Sequence, residues 1–298
     1  LRAEGAVRGI AACFAAFLPV AGLSVLANRI PAAEPVPDYI EEAVADPSRP
    51  DADRQRDADR KPAEVIAFAG IKPGDKVADF MPGRGYFTRI LCKVVGDGGH
   101  VYAIAVPRPA TAPPVQGSPP PSPPSQSAPA AADPDGGQTC TNVTASSLKM
   151  RLIPAPELHD DSDPGWVYEY WSSSPAAENF KAPEPLDAIW TSENYHDLHN
   201  KAYGSPDMLV VDKALLAALR PGGILMIEDH AAAAGSAARD TATLHRIAAQ
   251  QVEQEVTDAG FVFVGESDVL RHPEDRHTSN AHDMHDKTDR FLLKFRKP

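Results

Sequence analysis

Between Lys76 and Tyr102 the chain reads KVADFMPGRGYFTRILCKVVGDGGHVY, and no other stretch restricts the fold as much. Val77, Ala78 and Phe80 predict a buried strand with Asp79 near its end. Gly83 and Gly85 predict a tight turn, and Tyr86 to Val95 has the apolar periodicity of a helix. Strand, glycine turn and helix together form a cradle for a nucleotide cofactor, because glycine lets backbone approach a ligand and a helix N-terminus offers unpaired N–H groups. The spacing argues against two common cradles. A dinucleotide fingerprint requires a third glycine where Phe87 and Thr88 stand, and a phosphate-binding loop requires a Gly-Lys-Ser/Thr that does not follow.

The remaining chain alternates strands and helices. Lys61 to Ala69 predicts a short helix ended by Gly70, and His100 to Val106 a second strand. Leu148 to Ile153 is the expected third strand and Asp187 to Ser192 the fourth. A helix over Pro206 to Leu219 leads through Arg220-Pro221-Gly222-Gly223 into a fifth strand, Ile224 to Ile227. Thr241 to Ala259 predicts one further helix, Phe261 to Gly265 a sixth strand and Phe291 to Phe295 a seventh. This order implies an α/β fold with a doubly wound, mainly parallel seven-stranded Rossmann-like sheet and a reversed C-terminal strand pair.

Residues 1–27 read as a signal peptide, since Arg2 and Arg8 precede an apolar run from Ile10 to Ala27 that ends in small residues. Export, to a periplasmic setting, is the expectation. An uncleaved membrane anchor is the alternative, against which Pro19 and Gly22 interrupt the run. Residues 28–56 form a polar lead-in. Residues 57–298 form the main domain, interrupted at about 107–138 by a Pro/Ser/Ala-rich insertion whose composition predicts disorder or polyproline structure. A formal net charge of −12 argues against nucleic acid as a partner and leaves the N-terminal segment as the only expected membrane contact. Of the three cysteines, Cys92 and Cys140 could pair in an oxidising compartment, and no two have the spacing of a metal knuckle. Asn142-Val143-Thr144 matches a glycosylation acceptor, a motif frequent by chance.

The pattern Asp79-x-x-x-Gly83-x-Gly85 resembles the first motif of class I S-adenosylmethionine-dependent methyltransferases, with Met81 in place of that motif's first glycine. The Leu219-Arg220-Pro221-Gly222-Gly223 entry to the fifth strand and the Ala259-Gly260-Phe261 entry to the sixth resemble the same family. More narrowly, Pro82 to Thr88, Asn194-Tyr195-His196-Asp197, Asp229-His230, Leu244-His245-Arg246 and Lys287 to Phe291 are similar to a group of bacterial, often exported methyltransferases. The resemblance implies S-adenosyl-L-methionine as cofactor, held by Asp79, Met81, Pro82, Gly83, Gly85 and Tyr86, and a methyl acceptor that is a small or otherwise unidentified molecule. One departure from the family stands out: the second strand ends Ala103-Ile104-Ala105-Val106, without the carboxylate that in many members binds the ribose. A non-catalytic ligand- or metal-binding protein on the same fold is the alternative.

Methyl transfer needs an oriented acceptor and, where the acceptor carries a proton, a base. Asn194 and Tyr195 are the expected orienting groups and His196 or Asp197 the base, with Asp229 and His230 converging from the next strand and His245 and Arg246 at the rim. Near the C-terminus His272, His277, His282 and His285 alternate with Asp275, Asp283 and Asp286. Zinc accepts such donors, but loops before a terminal strand often carry them without a metal, and no metal ligand is assigned from the sequence.

Overall fold

The computed structural model describes residues 35–107, 140–148, 151–153, 172–174 and 176–298. The expected leader and nearly all of the Pro-rich insertion lie outside them. Four helices come first: α1 (Asp38–Ala45), α2 (Asp51–Arg54), α3 (Asp57–Arg60) and α4 (Pro62–Ala69). Then follow β1 (Lys76–Phe80), α5 (Tyr86–Val95), β2 (His100–Ala105) and β3 (Val143–Ser147), and a separate antiparallel pair, β4 (Arg151–Ile153) with β5 (Ser172–Ser174). The chain continues through β6 (Leu186–Ser192), a 3-10 turn at Tyr195–His199, α6 (Met208–Ala218) and β7 (Leu219–His230). It closes with α7 (Thr241–Leu244), α8 (Ala249–Asp258), β8 (Val262–Ser267), α9 (Ala281–Met284) and β9 (Arg290–Arg296).

Seven strands make the main sheet in the order β3-β2-β1-β6-β7-β9-β8. All neighbouring pairs from β3 to β7 are parallel, whereas β9 runs antiparallel to both β7 and β8. The reversal is therefore confined to β9, and the expected architecture holds. Strand periodicity fills both faces of the sheet. Ala78, Phe80, Ile189, Leu225, Ile227, Leu293 and Phe295 pack toward α6 and α8, while Val77, Trp190, Met226 and Leu292 pack toward α1, α4 and α5.

Several sequence expectations change. The third strand of the sheet is Val143–Ser147 and not Leu148 to Ile153; it is an edge strand, mostly exposed, so its residues need not be apolar. β7 begins at Leu219, and Arg220 to Gly223 bulge between its pairings with Leu186 and Ala188. The single helix expected over Thr241 to Ala259 is broken at His245, whose φ of 52° is left-handed. The polar lead-in is instead helical from Asp38, and Ile40 and Ala43 of α1 are buried in the core. No helix among the described residues is long and apolar enough to cross a membrane.

Cys92 on α5 and Cys140 form a disulfide with Cα atoms 6.2 Å apart. Beside it the Asn142 side-chain amide donates to the carbonyls of Cys92 and Gly96, 3.0 and 2.9 Å away, so this asparagine closes the end of α5. The bridge spans 48 positions of sequence, for which chain entropy gives a stabilisation of about 4 kcal/mol. Reduction, or Cys140→Ser, is expected to lower the thermal midpoint by a corresponding amount; an unchanged midpoint together with a thiol assay that finds Cys92 and Cys140 free would contradict this pairing.

Candidate functional site

The parallel strands deliver their C-terminal ends to one rim, and β9, running the other way, begins there. The rim carries Met81 to Gly85 after β1, Glu193 to Asp197 after β6, Asp229 and His230 at the end of β7, and Arg290 at the start of β9 opposite His230. This is the switch-point crevice at which open α/β sheets take ligands.

The glycine turn is held from three sides. The Met81 N–H donates to the Ile104 carbonyl at 2.9 Å, the Gly85 N–H donates to the Pro82 carbonyl at 2.8 Å, and the Asn194 amide donates to the Met81 carbonyl at 2.8 Å. Gly83 and Gly85 have φ of 56° and 77°, and Met81, standing for the motif's first glycine, is also left-handed at 62°. The position keeps a glycine's backbone although its residue has a side chain. Gly83 and Arg84 are exposed, and a Cβ added to Gly83 would meet nothing within 4 Å, so the turn presents open backbone. Asp79 does not face that opening. It is buried, accepts the Thr88 hydroxyl at 2.5 Å and orders the turn from behind; burial raises its pKa to about 6, with Thr88 and Arg60 opposing. Tyr86 is likewise an anchor and not a ligand group. Its hydroxyl donates to Asp57 at 2.6 Å, and its ring lies 4.6 Å from the Arg60 guanidinium.

After β6 the 3-10 turn sends consecutive side chains in different directions. Tyr195 enters the core, fully buried, where its hydroxyl bonds Asp212 at 2.9 Å and Glu255 at 3.1 Å; it cannot orient an acceptor. Asn194 is committed to the carbonyls of Met81 and Ser192. His196 remains as the expected chemical group. Its backbone N–H and its Nδ1 both contact the Asp229 carboxylate at 2.7 Å, and the His230 N–H donates to the same carboxylate at 2.7 Å. Burial opposes charge on His196, but Asp229, together with Asp197 and Glu193, raises the imidazole pKa; the same contact lowers that of Asp229 against its own burial. With Nδ1 on Asp229, Nε2 of His196 points to Asp197 Oδ1 at 3.5 Å and to His245 Nδ1 at 3.3 Å. His196, Asp197 and His245 are the one group among the described residues that could close on a metal ion.

His230 is bonded through Nδ1 to the Thr288 hydroxyl at 2.7 Å, and burial lowers its pKa to about 4, so it is neutral at pH 7. It lines a cavity of about 200 Å³ with Arg56, Glu193, His282, His285 and Asp286. The C-terminal His/Asp run divides: His282, His285 and Asp286 share that cavity, with the His282 ring 4.1 Å from that of His245, whereas Asp275 binds Arg246 and the Asp289 N–H, and His277 binds Asp289. Arg246 is fully buried and bonds the carbonyls of Ala231 and Ser279, so it is a structural tie and not a rim group.

The sequence reading missed a buried charge network behind the rim. Arg290 donates to Glu193 at 2.7 Å and Glu228 at 2.9 Å, and Arg60 lies 3.4 Å from Glu193 and bonds the Ser192 hydroxyl at 2.7 Å. Although burial opposes it, Arg60, with Arg290 and Arg56, holds the Glu193 carboxyl below the usual range. The available signal was a charge at the rim end of each apolar run, Glu228 after Ile224 to Ile227 and Arg290 before Phe291 to Leu293.

No protein-family model matches the chain, and no curated protein matches it. Solved structures similar to it include an S-adenosylmethionine-dependent methyltransferase from Aquifex aeolicus, at 16% identity over 83% of this chain and 95% of that one, with a TM-score of 0.49. A second such enzyme, from Mesorhizobium loti, is 12% identical over 78% of this chain and 95% of its own, TM-score 0.46. Fibrillarin from Aeropyrum pernix, with S-adenosyl-L-methionine natively bound, is 10% identical over 78% and 72%, TM-score 0.41. Likeness at such identities concerns fold and not activity.

Beneath the site, burial raises the pKa of Asp212 to about 8, aided by Glu255 and opposed by the Tyr195 hydroxyl. The folded chain thus holds this proton more tightly than the unfolded chain does. The associated stability is fully present below pH 4 and is lost as pH rises toward 8, at roughly 1.4 kcal/mol for each pH unit crossed. Asp212→Asn, which keeps an acceptor for Tyr195, is expected to flatten this decline in urea midpoints measured from pH 4 to 8; an equal slope in both proteins would show that Asp212 does not carry it.

Proposed function

We propose that the chain is an S-adenosyl-L-methionine-dependent methyltransferase acting on a small polar acceptor at the sheet rim. The observation that carries this reading is the Asn194 bridge: one amide fixes the open glycine turn to the chain that, two residues later, presents His196. A cradle and a proton-handling cluster are thereby held at a fixed mutual position. Positioning of this kind supplies most of what methyl transfer asks of a protein.

The residues at the turn fit the cofactor in part. The backbone from Met81 to Gly85, open at Gly83, would hold it, and when bound it supplies an activated methyl group on a sulfonium. Ala103 to Ala105 offer no carboxylate to its ribose, which predicts weak affinity. The cavity of about 200 Å³ is smaller than the roughly 300–1,000 Å³ of pockets for drug-sized ligands, and it suits an acceptor of few atoms. Glu193, Arg56 and neutral His230 line it and would orient polar groups there. His196 Nε2, Asp197 and His245 would receive or polarise the acceptor's proton, with Asp229 holding His196 in place. Export is the matching localisation, since the Cys92–Cys140 disulfide favours an oxidising compartment.

Calorimetric titration with S-adenosylmethionine and S-adenosylhomocysteine tests the reading. Both are expected to bind, and no heat at millimolar ligand would overturn it in favour of a non-catalytic scaffold. Gly83→Ala places a methyl group in the open space of the turn. It should weaken binding about tenfold or more while costing only about 1–2 kcal/mol of stability for its left-handed backbone. Unchanged affinity in Gly83→Ala would remove the turn from the binding site.

A further inference from the structure

Three atoms at the rim have a geometry that hydrogen bonding does not require. His196 Nε2 lies 3.3 Å from His245 Nδ1 and 3.5 Å from Asp197 Oδ1, and His245 Nδ1 lies 3.7 Å from that same oxygen. Ligands at about 2.1 Å around a tetrahedral zinc ion stand about 3.4 Å from one another. The three atoms therefore form one face of such a tetrahedron. A hydrogen bond would bring two of them together but gives no reason for the third to sit within 3.7 Å of both.

The surroundings are those of a ligand set. Asp229 accepts from His196 Nδ1 at 2.7 Å, which leaves Nε2 as the coordinating nitrogen, and the Asn200 amide donates to Asp197 Oδ1 at 3.2 Å. Carboxylate and amide partners of this kind fix ligand orientation in metal sites. His245 reaches its place only because the chain leaves α7 there in a left-handed conformation, φ 52°. That conformation is locked by the next two residues, through Arg246 to Asp275 at 2.9 Å and the Ile247 N–H to the His230 carbonyl at 3.0 Å. Strain held in place by its surroundings is typical of functional positions.

We propose that His196, Asp197 and His245 bind one divalent cation of the zinc class, with a fourth position left for water or acceptor. Two imidazoles and one carboxylate suit zinc, cobalt or nickel better than calcium or magnesium. The rings of His282 and His230, which line the rim cavity, lie 4.1 Å from His245 and 5.8 Å from His196, so that cavity begins beside the proposed ion. A cation there would occupy the lone pairs of His196 Nε2 and His245 Nδ1, so in the metal-bound protein it would polarise an oxygen bound next to it as a Lewis acid, in place of proton acceptance by those nitrogens. The inference rests on interatomic distances and not on methyl transfer. Zinc binding without S-adenosylmethionine binding, or the reverse, separates the two.

The test uses the full chain, stripped with a chelator and titrated with zinc by calorimetry and with cobalt by visible absorption. One zinc per chain at micromolar or tighter affinity is expected, with the ligand-field bands of four-coordinate cobalt. His245→Asn is the informative variant because asparagine tolerates the left-handed backbone; it and Asp197→Asn should each weaken zinc binding by at least about tenfold. His277→Ala, outside the trio, should bind as the parent does. Absence of stoichiometric binding would overturn the proposal. So would binding that survives both trio substitutions, and if His282→Ala or His285→Ala then abolished it, the ion would belong to the C-terminal run. Circular dichroism of each variant separates lost ligation from lost fold.

Discussion

Arg290 is wholly buried and permanently charged, and the rim of the sheet is arranged around it. Its guanidinium donates to Glu228 on β7, to Glu193 after β6, and to the carbonyls of Asp59 and Asp286. One side chain therefore ties β9, the two central strands, the helix α3 and the segment after α9. Removing an arginine from water is costly, and removing a partner from a buried pair costs more, about 3–5 kcal/mol, because the remaining charge is stranded. Arg60 shares the same carboxylates at 3.4 and 3.9 Å, and Arg56 bonds Asp286 at 2.6 and 2.7 Å. Dense pairing of this kind is consistent only with one relative position of the N-terminal helices and the sheet.

That constraint determines what the rim can offer. Because α2 is held by the Asp53–Arg89 pair and α3 by Arg56, Arg60 and the Tyr86–Asp57 bond, they lie against the helix end of the glycine turn and leave only its Gly83–Arg84 tip exposed. Because Glu193 belongs to the network, the chain after β6 leaves the sheet at a fixed angle. Asn194, Tyr195 and His196 then fall on the turn, the core and Asp229 respectively. The network itself performs no chemistry, yet it places each group that can.

The sequence showed the fold where periodicity and glycine coincide. β1, α5, β2 and the three C-terminal strands combine alternating apolar residues with turn signals that little else can satisfy. It misplaced β3 because an edge strand, exposed along most of its length, has no apolar pattern to read, while Leu148 to Ile153 beside it has one. The break at His245 was illegible for another reason. Nothing in Thr241 to Ala259 disfavours a helix, and the left-handed turn follows from Arg246 pairing with Asp275, a contact between distant segments. The site shows the same division. His196 and Asp229 could be named from their places after successive strands, whereas Tyr195 looked equally chemical and proved structural. A short 3-10 turn distributes neighbours to opposite sides, and residue type alone does not say which neighbour faces in.

Among the non-glycine residues with left-handed backbone are Met81, Glu193 and His245, with φ of 62°, 58° and 52°, each at the point where the chain leaves an element. Each such residue costs about 1–2 kcal/mol relative to an ordinary conformation. That cost is offset by contacts with neighbours: Ile104 and Asn194 around Met81, Glu228 and Arg290 around Glu193, and the Arg246 and Ile247 contacts after His245. If only the core mattered, glycine would serve at all three positions with less strain. At two of the three the side chain supplies a reason for its presence: Glu193 is a partner of Arg290 and a wall of the cavity, and His245 completes the trio. Met81 is 7% exposed and packs in the core, so its side chain seals the floor beneath the turn. At these three positions strained backbone coincides with a placed side chain, and the same few contacts that keep the rim rigid keep its polar groups in register with the glycine turn.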